Sequence, residues 1–230
     1  MVLCKGLTRI YLIRHAEAQG NIERIFQGHS NGDVSENGIK QLERLSERCK
    51  SFSFDAVYSS PLQRAYKTAQ AANLHHNLPI ITLESLMEIN GGHWEGELFE
   101  DLPKLFPDEH DIWENKPWLF NVHGGESMQE VYERIWGAVQ GIVLSHPNAS
   151  ICVVSHGCAI RNFLCRAYGK ELCELTTIDW CDNTAISIID FDENLNATVV
   201  VANDASHLSD ELSTISKQDW WKKSKGGTEQ

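Results

Sequence analysis

Short apolar runs alternate along this chain with longer segments in which apolar residues recur every three or four positions. The short runs, rich in Val and Ile, are typical of buried strands, and the longer segments are typical of amphipathic helices. The predicted strands are about 8–14, 55–59, 80–83, 150–155, 184–191 and 197–202. The predicted helices are about 35–50, 61–74, 126–145 and 157–168. This alternation predicts a three-layer α/β/α fold, with a mostly parallel sheet and helices on both faces.

Start signals accompany two of the predicted helices. Ser35 is a suitable N-cap for the first of them. The apolar positions that keep helical spacing in this helix are Ile39, Leu42 and Leu45. Ser60 and Pro61 offer a cap and a first-turn proline to the next helix. Between the first strand and the first helix, the polar stretch 20–34 is predicted to be a loop.

The chain changes character between about 90 and 124. Gly91 and Gly92, three prolines, several Trp and Phe residues and many acids occur in this stretch. We interpret it as an inserted lid of short helices and loops within a single domain that spans 1–230, rather than as a second domain. The polar tail after about 208 is expected to be flexible.

Composition argues against several kinds of partner. The chain has 230 residues and a formal net charge of −12, which disfavours nucleic acid and anionic membranes, because both bind basic surfaces. Its seven cysteines follow no disulfide or zinc spacing, and the N-terminal sequence lacks the pattern of a signal peptide. We therefore expect a cytoplasmic protein with reduced thiols. The sequence leaves open whether the protein forms a homodimer.

Two of the predicted strands end in a histidine. The run 8–13 leads into Arg14 and His15, and the run 150–155 leads into His156 and Gly157. Ligands of open α/β sheets bind at the carboxyl ends of parallel strands. If these strands are neighbours, two imidazoles and an arginine meet in one crevice, which suits a phosphate group.

Six groups of residues occur in an order that resembles one known family. They are Arg14-His15-Ala16-Glu17 with Asn21 and Gln27-Gly28; Ser59-Ser60-Pro61-Leu62-Gln63-Arg64-Ala65; Glu88-Ile89-Asn90 with Gly92-His93-Trp94-Glu95-Gly96; Gly124-Gly125-Glu126-Ser127; Val154-Ser155-His156-Gly157; and Asp182-Asn183-Thr184. Each alone is a weak signal, but several in the right order are a strong one. The chain resembles the histidine phosphatase superfamily, in the phosphoglycerate-mutase-like branch that includes broad-specificity and α-ribazole phosphatases.

The resemblance implies a covalent mechanism on His15. A neutral imidazole is not repelled by the anionic phosphate oxygens and can accept the phosphoryl group as phosphohistidine. Arg14 and Arg64 offer planar forks of N–H groups to that phosphate, and His156 adds a third cation if it is protonated. Asn21 is expected to donate to the same oxygens.

Other positions follow from the same resemblance. The backbone N–H groups after Gly157 open a helix and are expected to bind the anion, while Gln27 and Gly28 are expected to contact the substrate. Glu88 is expected to protonate the leaving alcohol, with Glu95 as the alternative acid. No carboxylate cluster of metal-ligand type accompanies these residues, so we expect neither a metal nor another cofactor.

Several nearby residues have a structural interpretation. Glu17 and Arg161 are expected to form structural ion pairs rather than to act in catalysis. The lid aromatics can receive an apolar leaving group or can simply pack the lid, and both interpretations stay open. These aromatics are Trp94, Trp113, Trp118 and Phe120.

The motifs predict phosphoryl transfer but leave the acceptor open. Related mutases carry a basic, Tyr-containing stretch after the acidic motif, whereas 96–104 here is acidic and apolar. This difference favours a phosphatase of small phosphomonoesters over a cofactor-dependent phosphoglycerate mutase. A catalytically silent relative that binds phosphorylated ligands is the third hypothesis, and the presence of both His15 and Glu88 argues against it.

Overall fold

A six-stranded sheet forms the centre of the computed structural model, which describes residues 6–217. Its strands are β1 (Thr8–Arg14), β2 (Ala56–Ser59), β3 (Ile80–Thr82), β4 (Ser150–Ser155), β5 (Ile186–Phe191) and β6 (Ala197–Asp204). Their order across the sheet is β3-β2-β4-β1-β5-β6. The strands β1 to β4 pair in parallel, whereas β5 is antiparallel to both of its neighbours. The sheet is therefore mixed and mostly parallel, as predicted.

Helices cover both faces of this sheet. The α-helices within the described residues are α1 (Gln19–Glu23), α2 (Glu36–Cys49), α3 (Gln63–Ala72), α4 (Leu102–Leu105), α5 (Pro107–Asn115), α6 (Met128–Ser145), α7 (Gly157–Ala167) and α8 (Thr214–Lys217). Because side chains alternate along a strand, Ile10 and Leu12 of β1 pack with residues of α6 and α7, whereas Tyr11 and Ile13 pack with residues of α2 and α3. The three-layer α/β/α prediction is confirmed.

The buried face of α2 differs from the predicted one. Ser35 caps the helix as expected, since its hydroxyl accepts the backbone N–H three residues later at 2.9 Å. Ile39, however, is 53% exposed, and the polar Gln41 is 0% exposed. The side chain of Gln41 accepts from the Glu17 N–H and donates to the Leu212 carbonyl. A polar residue can take a core position when its hydrogen bonds are all made inside the protein, and apolar spacing cannot reveal this.

Other boundaries also differ from the sequence prediction. The predicted loop 20–34 contains the short helix α1, and α3 begins at Gln63, so Ser60 and Pro61 precede the helix rather than open it. The segment 209–217 is not a free tail, because it contains α8 and Thr214 is only 4% exposed. The flexible-tail prediction is therefore wrong for 209–217, and its remainder, 218–230, lies outside the described residues.

The stretch 90–124 forms α4, α5 and two 3₁₀ turns, Gly92–Trp94 and Pro117–Leu119. Trp94 and Phe120 are at most 1% exposed and pack edge to face, with ring centroids 4.9 Å apart. Trp113 packs on Phe120 at 4.8 Å, and Trp118 packs against the same core. The aromatics pack the lid, and the leaving-group interpretation is wrong for Trp94 and Phe120.

No helix within residues 6–217 combines the length and the apolarity that crossing a bilayer requires.

Candidate active site

The two histidines of the motifs meet at the carboxyl ends of β1 and β4. These strands are parallel neighbours, with Arg14 in register with Ser155, and the His15 N–H donates to the Ser155 carbonyl at 3.0 Å. The imidazole centroids of His15 and His156 lie 5.0 Å apart. Both residues are buried, with 3% and 0% of their surfaces exposed. The strand order therefore creates the crevice that the sequence argument required.

A backbone hydrogen bond fixes the tautomer of His15. Its Nδ1 lies 2.7 Å from the Ala16 carbonyl oxygen, and because a carbonyl only accepts, Nδ1 must carry the proton. The lone pair is then on Nε2. Burial, followed by the positive charges of Arg64 and Arg14, lowers the pKa of His15 well below its usual value. His15 is therefore a neutral imidazole with an available nitrogen at neutral pH.

His156 is also neutral. Burial, then the charges of Arg64, His15 and Arg14, lower the pKa of His156 well below its usual value. Its Nε2 shares a 2.8 Å hydrogen bond with the Ser60 hydroxyl, and its buried Nδ1 has no hydrogen-bond partner among the described residues. A protonated His156 as the third cation beside a bound phosphate stays a prediction. Ser60 was interpreted as a helix cap, and its contact with His156 was missed.

Arg64 and Arg14 supply the positive charge. Arg64 is 1% exposed, and it donates to the Ser30 carbonyl at 2.6 Å and to the Gly28 carbonyl at 2.8 Å. Burial lowers the pKa of Arg64 to about 10, so its guanidinium stays charged at neutral pH. Arg14 donates to the Cys181 carbonyl at 2.6 Å. The Nε–H groups of both arginines are buried and have no hydrogen-bond partner within residues 6–217, which suits an anionic ligand.

The glycines of the motifs allow the arginines to approach closely. A Cβ atom at Gly157 would lie 3.3 Å from Nε of Arg14. Gly28 has a φ of +48° and would place a Cβ 2.1 Å from Oε1 of Glu95, so a side chain there would be strained and would displace Glu95. Through its carbonyl, Gly28 orients Arg64.

Asn21 and Gln27 lie on the loop before this glycine. The Asn21 side-chain oxygen accepts the Ala18 N–H at 2.9 Å, and in this way it holds the start of α1. Gln27 packs on Gly20, where a Cβ would lie 2.5 Å from its Cγ. The buried side-chain oxygen of Gln27 has no hydrogen-bond partner in the described part of the chain.

Glu88 occupies the N-terminus of α7. Its carboxylate accepts the N–H groups of Cys158 and Ala159, both at 3.1 Å, and the N–H of Ile89 at 2.9 Å. A helix N-terminus attracts negative charge through its free N–H groups. We expected these amides after Gly157 to bind the substrate anion. That expectation is wrong for Cys158 and Ala159, since both N–H groups donate to the carboxyl group of Glu88.

Glu95 organises the loops around Glu88. Its Oε1 accepts the backbone N–H groups of His29 and Gly91, at 2.7 and 3.0 Å. His29 in turn donates from Nε2 to the Glu88 carbonyl at 2.9 Å. On the other side, Arg134 donates to the same carbonyl at 3.3 Å. Sequence reasoning missed His29 and Arg134, because neither belongs to one of the quoted motifs.

Asn183 and Thr184 fix the backbone of Arg14 and His15. The Asn183 side-chain amide donates to the His15 carbonyl at 2.8 Å, and the Thr184 N–H donates to the Arg14 carbonyl at 3.1 Å. Thr184 has a φ of +59°, a left-handed conformation that is uncommon for a β-branched residue. The motif could be recognised in the sequence, but this contact could not be predicted, since 168 positions separate Asn183 from His15.

The two expected structural ion pairs are absent from the ion pairs within the described residues. Glu17 is instead held by neutral donors, and Arg161 donates to the Ile178 carbonyl at 2.8 Å and stacks over the Trp180 ring. Across residues 6–217, no group of three or more His, Cys, Asp or Glu side chains is arranged to hold a metal ion.

Comparisons with known proteins agree with this geometry. A family model described as the histidine phosphatase superfamily (branch 1) matches residues 10–204. Phosphoserine phosphatase 1 of Hydrogenobacter thermophilus is 32% identical over 204 residues, which cover 89% of this chain and 96% of the relative. Among solved structures, YhfR of Bacillus stearothermophilus superposes with a TM-score of 0.84 at 30% identity, covering 88% of this chain and 100% of that one.

A second solved structure extends the agreement. The α-ribazole phosphatase of Shigella flexneri superposes with a TM-score of 0.77 at 27% identity, covering 85% of this chain and 96% of that one. The chain belongs to the histidine phosphatase superfamily, which confirms the resemblance drawn from its motifs. Within that superfamily it is a phosphatase.

Proposed function

We propose that the protein is a metal-independent phosphomonoesterase that forms a phosphohistidine on His15 and uses Glu88 as the proton donor. The observation that carries this proposal is the state of His15. Its Nδ1–H is committed to the Ala16 carbonyl, and burial beside Arg64 and Arg14 keeps the ring neutral by lowering its pKa. These features make Nε2 a nucleophile that the phosphate oxygens do not repel.

In the first step, the lone pair of His15 Nε2 attacks phosphorus and forms an N–P bond. The bond between phosphorus and the ester oxygen breaks, and its electron pair goes to that oxygen. The charge on the phosphoryl oxygens is stabilised by Arg14 and Arg64, whose forked donors are pre-positioned by the backbone carbonyls they bind. This cationic pair supplies electrostatic stabilisation without requiring a bound cation.

Glu88 completes this step by protonating the departing oxygen. Its Oε1 accepts two backbone N–H groups, whereas its Oε2 accepts one. We therefore assign the transferable proton to Oε2, which has the greater free lone-pair capacity. In the second step the Glu88 carboxylate takes a proton from water, the water oxygen attacks phosphorus, and the N–P electron pair returns to His15 Nε2.

The stretch 90–124 favours water over a phosphoglycerate as the acceptor of the phosphoryl group. Lys104, a cation that could grip a substrate carboxylate, pairs with Asp101 at 3.0 Å and has 77% of its side chain exposed. Glu97 and Glu100 lie in the same acidic stretch. A mutase role therefore has less support than hydrolysis. A catalytically silent, phosphate-binding role has even less support. Binding alone does not require both a nucleophile whose tautomer is fixed and a proton donor.

The experiment is the replacement His15→Ala, assayed with nitrophenyl phosphate in excess EDTA. Turnover should fall by more than about 10³-fold, as removal of a nucleophile does in other covalent hydrolases. Rapid acid-free quenching of the wild type should trap base-stable, acid-labile phosphate on His15. His75→Ala removes an exposed imidazole that follows the end of α3. It is the matched control and should retain full activity. Undiminished turnover of His15→Ala, or a wild type that EDTA inactivates, contradicts the proposal.

A further inference from the structure

Two buried carboxylates flank the backbone that carries Arg14 and His15. Glu17, which is 5% exposed, follows His15 by two positions in the chain. Asp182, which is 8% exposed, precedes Asn183, the residue whose amide holds the His15 carbonyl. The carbonyl that accepts from Arg14 belongs to the residue directly before Asp182. Both carboxylates therefore lie close, along the chain, to the backbone groups that hold Arg14 and His15.

Neither carboxylate forms an ion pair with a described residue. Burying an anion without a cation is unfavourable unless hydrogen bonds replace its water. Glu17 accepts from the Ser35 hydroxyl at 2.7 Å, the Asn37 amide at 3.1 Å and the Thr214 hydroxyl at 2.9 Å. One of these three donors thus comes from the far end of the described chain.

Asp182 receives more of its hydrogen bonds from that end of the chain than Glu17 does. It accepts from the Ser213 hydroxyl, from the Thr214 N–H at 3.0 Å and from the Ile215 N–H at 3.2 Å. Its remaining donor is the N–H of Asn183, at 2.8 Å. Three of the four donors to Asp182 therefore come from three consecutive residues of the C-terminal segment.

A buried glutamine ties the same segment to α2. Gln41 donates to the Leu212 carbonyl at 2.7 Å and to the Thr214 hydroxyl at 3.0 Å, while its oxygen accepts the Glu17 N–H at 2.8 Å. The Thr214 hydroxyl thus accepts from Gln41 and donates to Glu17. Residues 212–215, which we call the C-terminal strap, are the point where both carboxylates and α2 are joined.

We propose that the C-terminal strap positions Arg14 and His15 for phosphoryl transfer, with Ser213 and Thr214 as positioning residues that act through Asp182 and Glu17. This inference rests on the proposed function, because it assigns the strap a role in the same site. Loss of a strap donor leaves a buried carboxylate short of hydrogen bonds, and the loop that carries it must move to find water. A displacement of about 1 Å in a reacting group can cost on the order of 10²-fold in rate.

The experiment compares Thr214→Val, which keeps the shape and removes the hydroxyl, with Thr214→Ser, which restores it. We expect Thr214→Val to lower kcat/KM for nitrophenyl phosphate by about 10- to 100-fold and to weaken the binding of inorganic phosphate measured by calorimetry. Thr214→Ser should recover most of both losses. Thr198→Val, on the exposed side of β6, is the matched control and should behave as the wild type.

All assays are run at a temperature at which circular dichroism shows each variant to be fully folded. If Thr214→Val does not fold, Ser213→Ala carries the same test through Asp182. The proposal is overturned if Ser213→Ala and any folded Thr214→Val match the wild type in kcat/KM and in phosphate affinity. A wild type that forms no phosphohistidine overturns the proposed function instead, so the two failures are distinguishable.

Discussion

The neutral state of His15 and His156 is imposed by their surroundings. Burial lowers the pKa of each imidazole well below the ordinary value of 6.5, and Arg64 is the largest charged contributor to both shifts. In the unfolded chain these imidazoles bind protons near pH 6.5, while in the folded protein they do not. Stability rises with pH wherever the unfolded state binds more protons. Both histidines therefore make the folded protein less stable as the pH falls through 6.5.

This linkage predicts the pH dependence of the free energy of unfolding. Each histidine should contribute a slope of up to about 1.4 kcal/mol per pH unit below its unfolded pKa. Urea unfolding at several pH values between about 7.5 and 5.5 measures the slope. Burial also lowers the pKa of His207, so His156→Asn removes one of three depressed imidazoles. Its slope should be shallower, and the exposed His75→Asn serves as the control. If the free energy of unfolding depended on pH equally in the wild type and in His156→Asn, His156 would not be a source of the pH dependence.

Glu88→Gln tests the proton donor, because glutamine keeps an acceptor for the amides of α7 but has no acidic proton. A general acid contributes about 10²–10⁴-fold, and it matters most when the leaving group is basic. The loss in kcat/KM should therefore be far larger for alkyl phosphates than for nitrophenyl phosphate. Glu95→Gln is the matched comparison, since Glu95 holds loop amides and should affect both substrates equally. If Glu88→Gln lowered kcat/KM equally for both substrates, a residue other than Glu88 would be the general acid.

At the scale of elements, one carboxylate joins the turn Gly92–Trp94 to α5 within the stretch 90–124. Oε2 of Glu109, in α5, accepts from the indole N–H of Trp94 at 2.7 Å and from the His93 imidazole at 2.9 Å. Trp94 is 0% exposed, so Glu109→Ala leaves its N–H buried without an acceptor. Urea unfolding should show a loss of about 1–3 kcal/mol, with a smaller loss for Glu109→Gln. The exposed Glu114→Ala in the same helix should be nearly neutral, and an equal loss there would contradict the argument.

The longer strands and helices could be predicted because they carry local signals, whereas the short helices α1 and α8 could not. β1 and β4 were found at their true positions from apolar runs alone, and the Ser127–Glu130 capping box marks the start of α6. The predictions failed where a hydrogen bond between distant segments places a residue differently from what its local sequence pattern indicates. Gln41 is buried in α2 because its amide is fully bonded, and Ser60 turns toward His156 instead of capping α3.

At the scale of the whole molecule, the residues of the site could be predicted from the sequence, but the residues that hold them in place could not. His15, Arg64 and Glu88 could be predicted as site residues, because their motifs are contiguous and resemble those of a family. The groups that hold them come from segments far away in sequence, such as Asn183 on the His15 carbonyl and the strap on Asp182. Hydrogen bonds across such separations leave no periodicity or spacing in the sequence, so only the folded chain displays them.

The balance between hydrolysis and mutase chemistry is also a property of the whole molecule. Phosphohistidine is open to attack by water unless an acceptor is gripped and solvent is excluded. The net charge of −12 and the acidic stretch around Glu97 oppose a triply charged acid. We therefore expect phosphate release from several monoesters, and little interconversion of 3- and 2-phosphoglycerate even with bisphosphoglycerate present. Lys104→Gln should change neither rate, because Lys104 pairs with Asp101 at the surface. Interconversion faster than phosphate release would contradict hydrolysis as the main reaction.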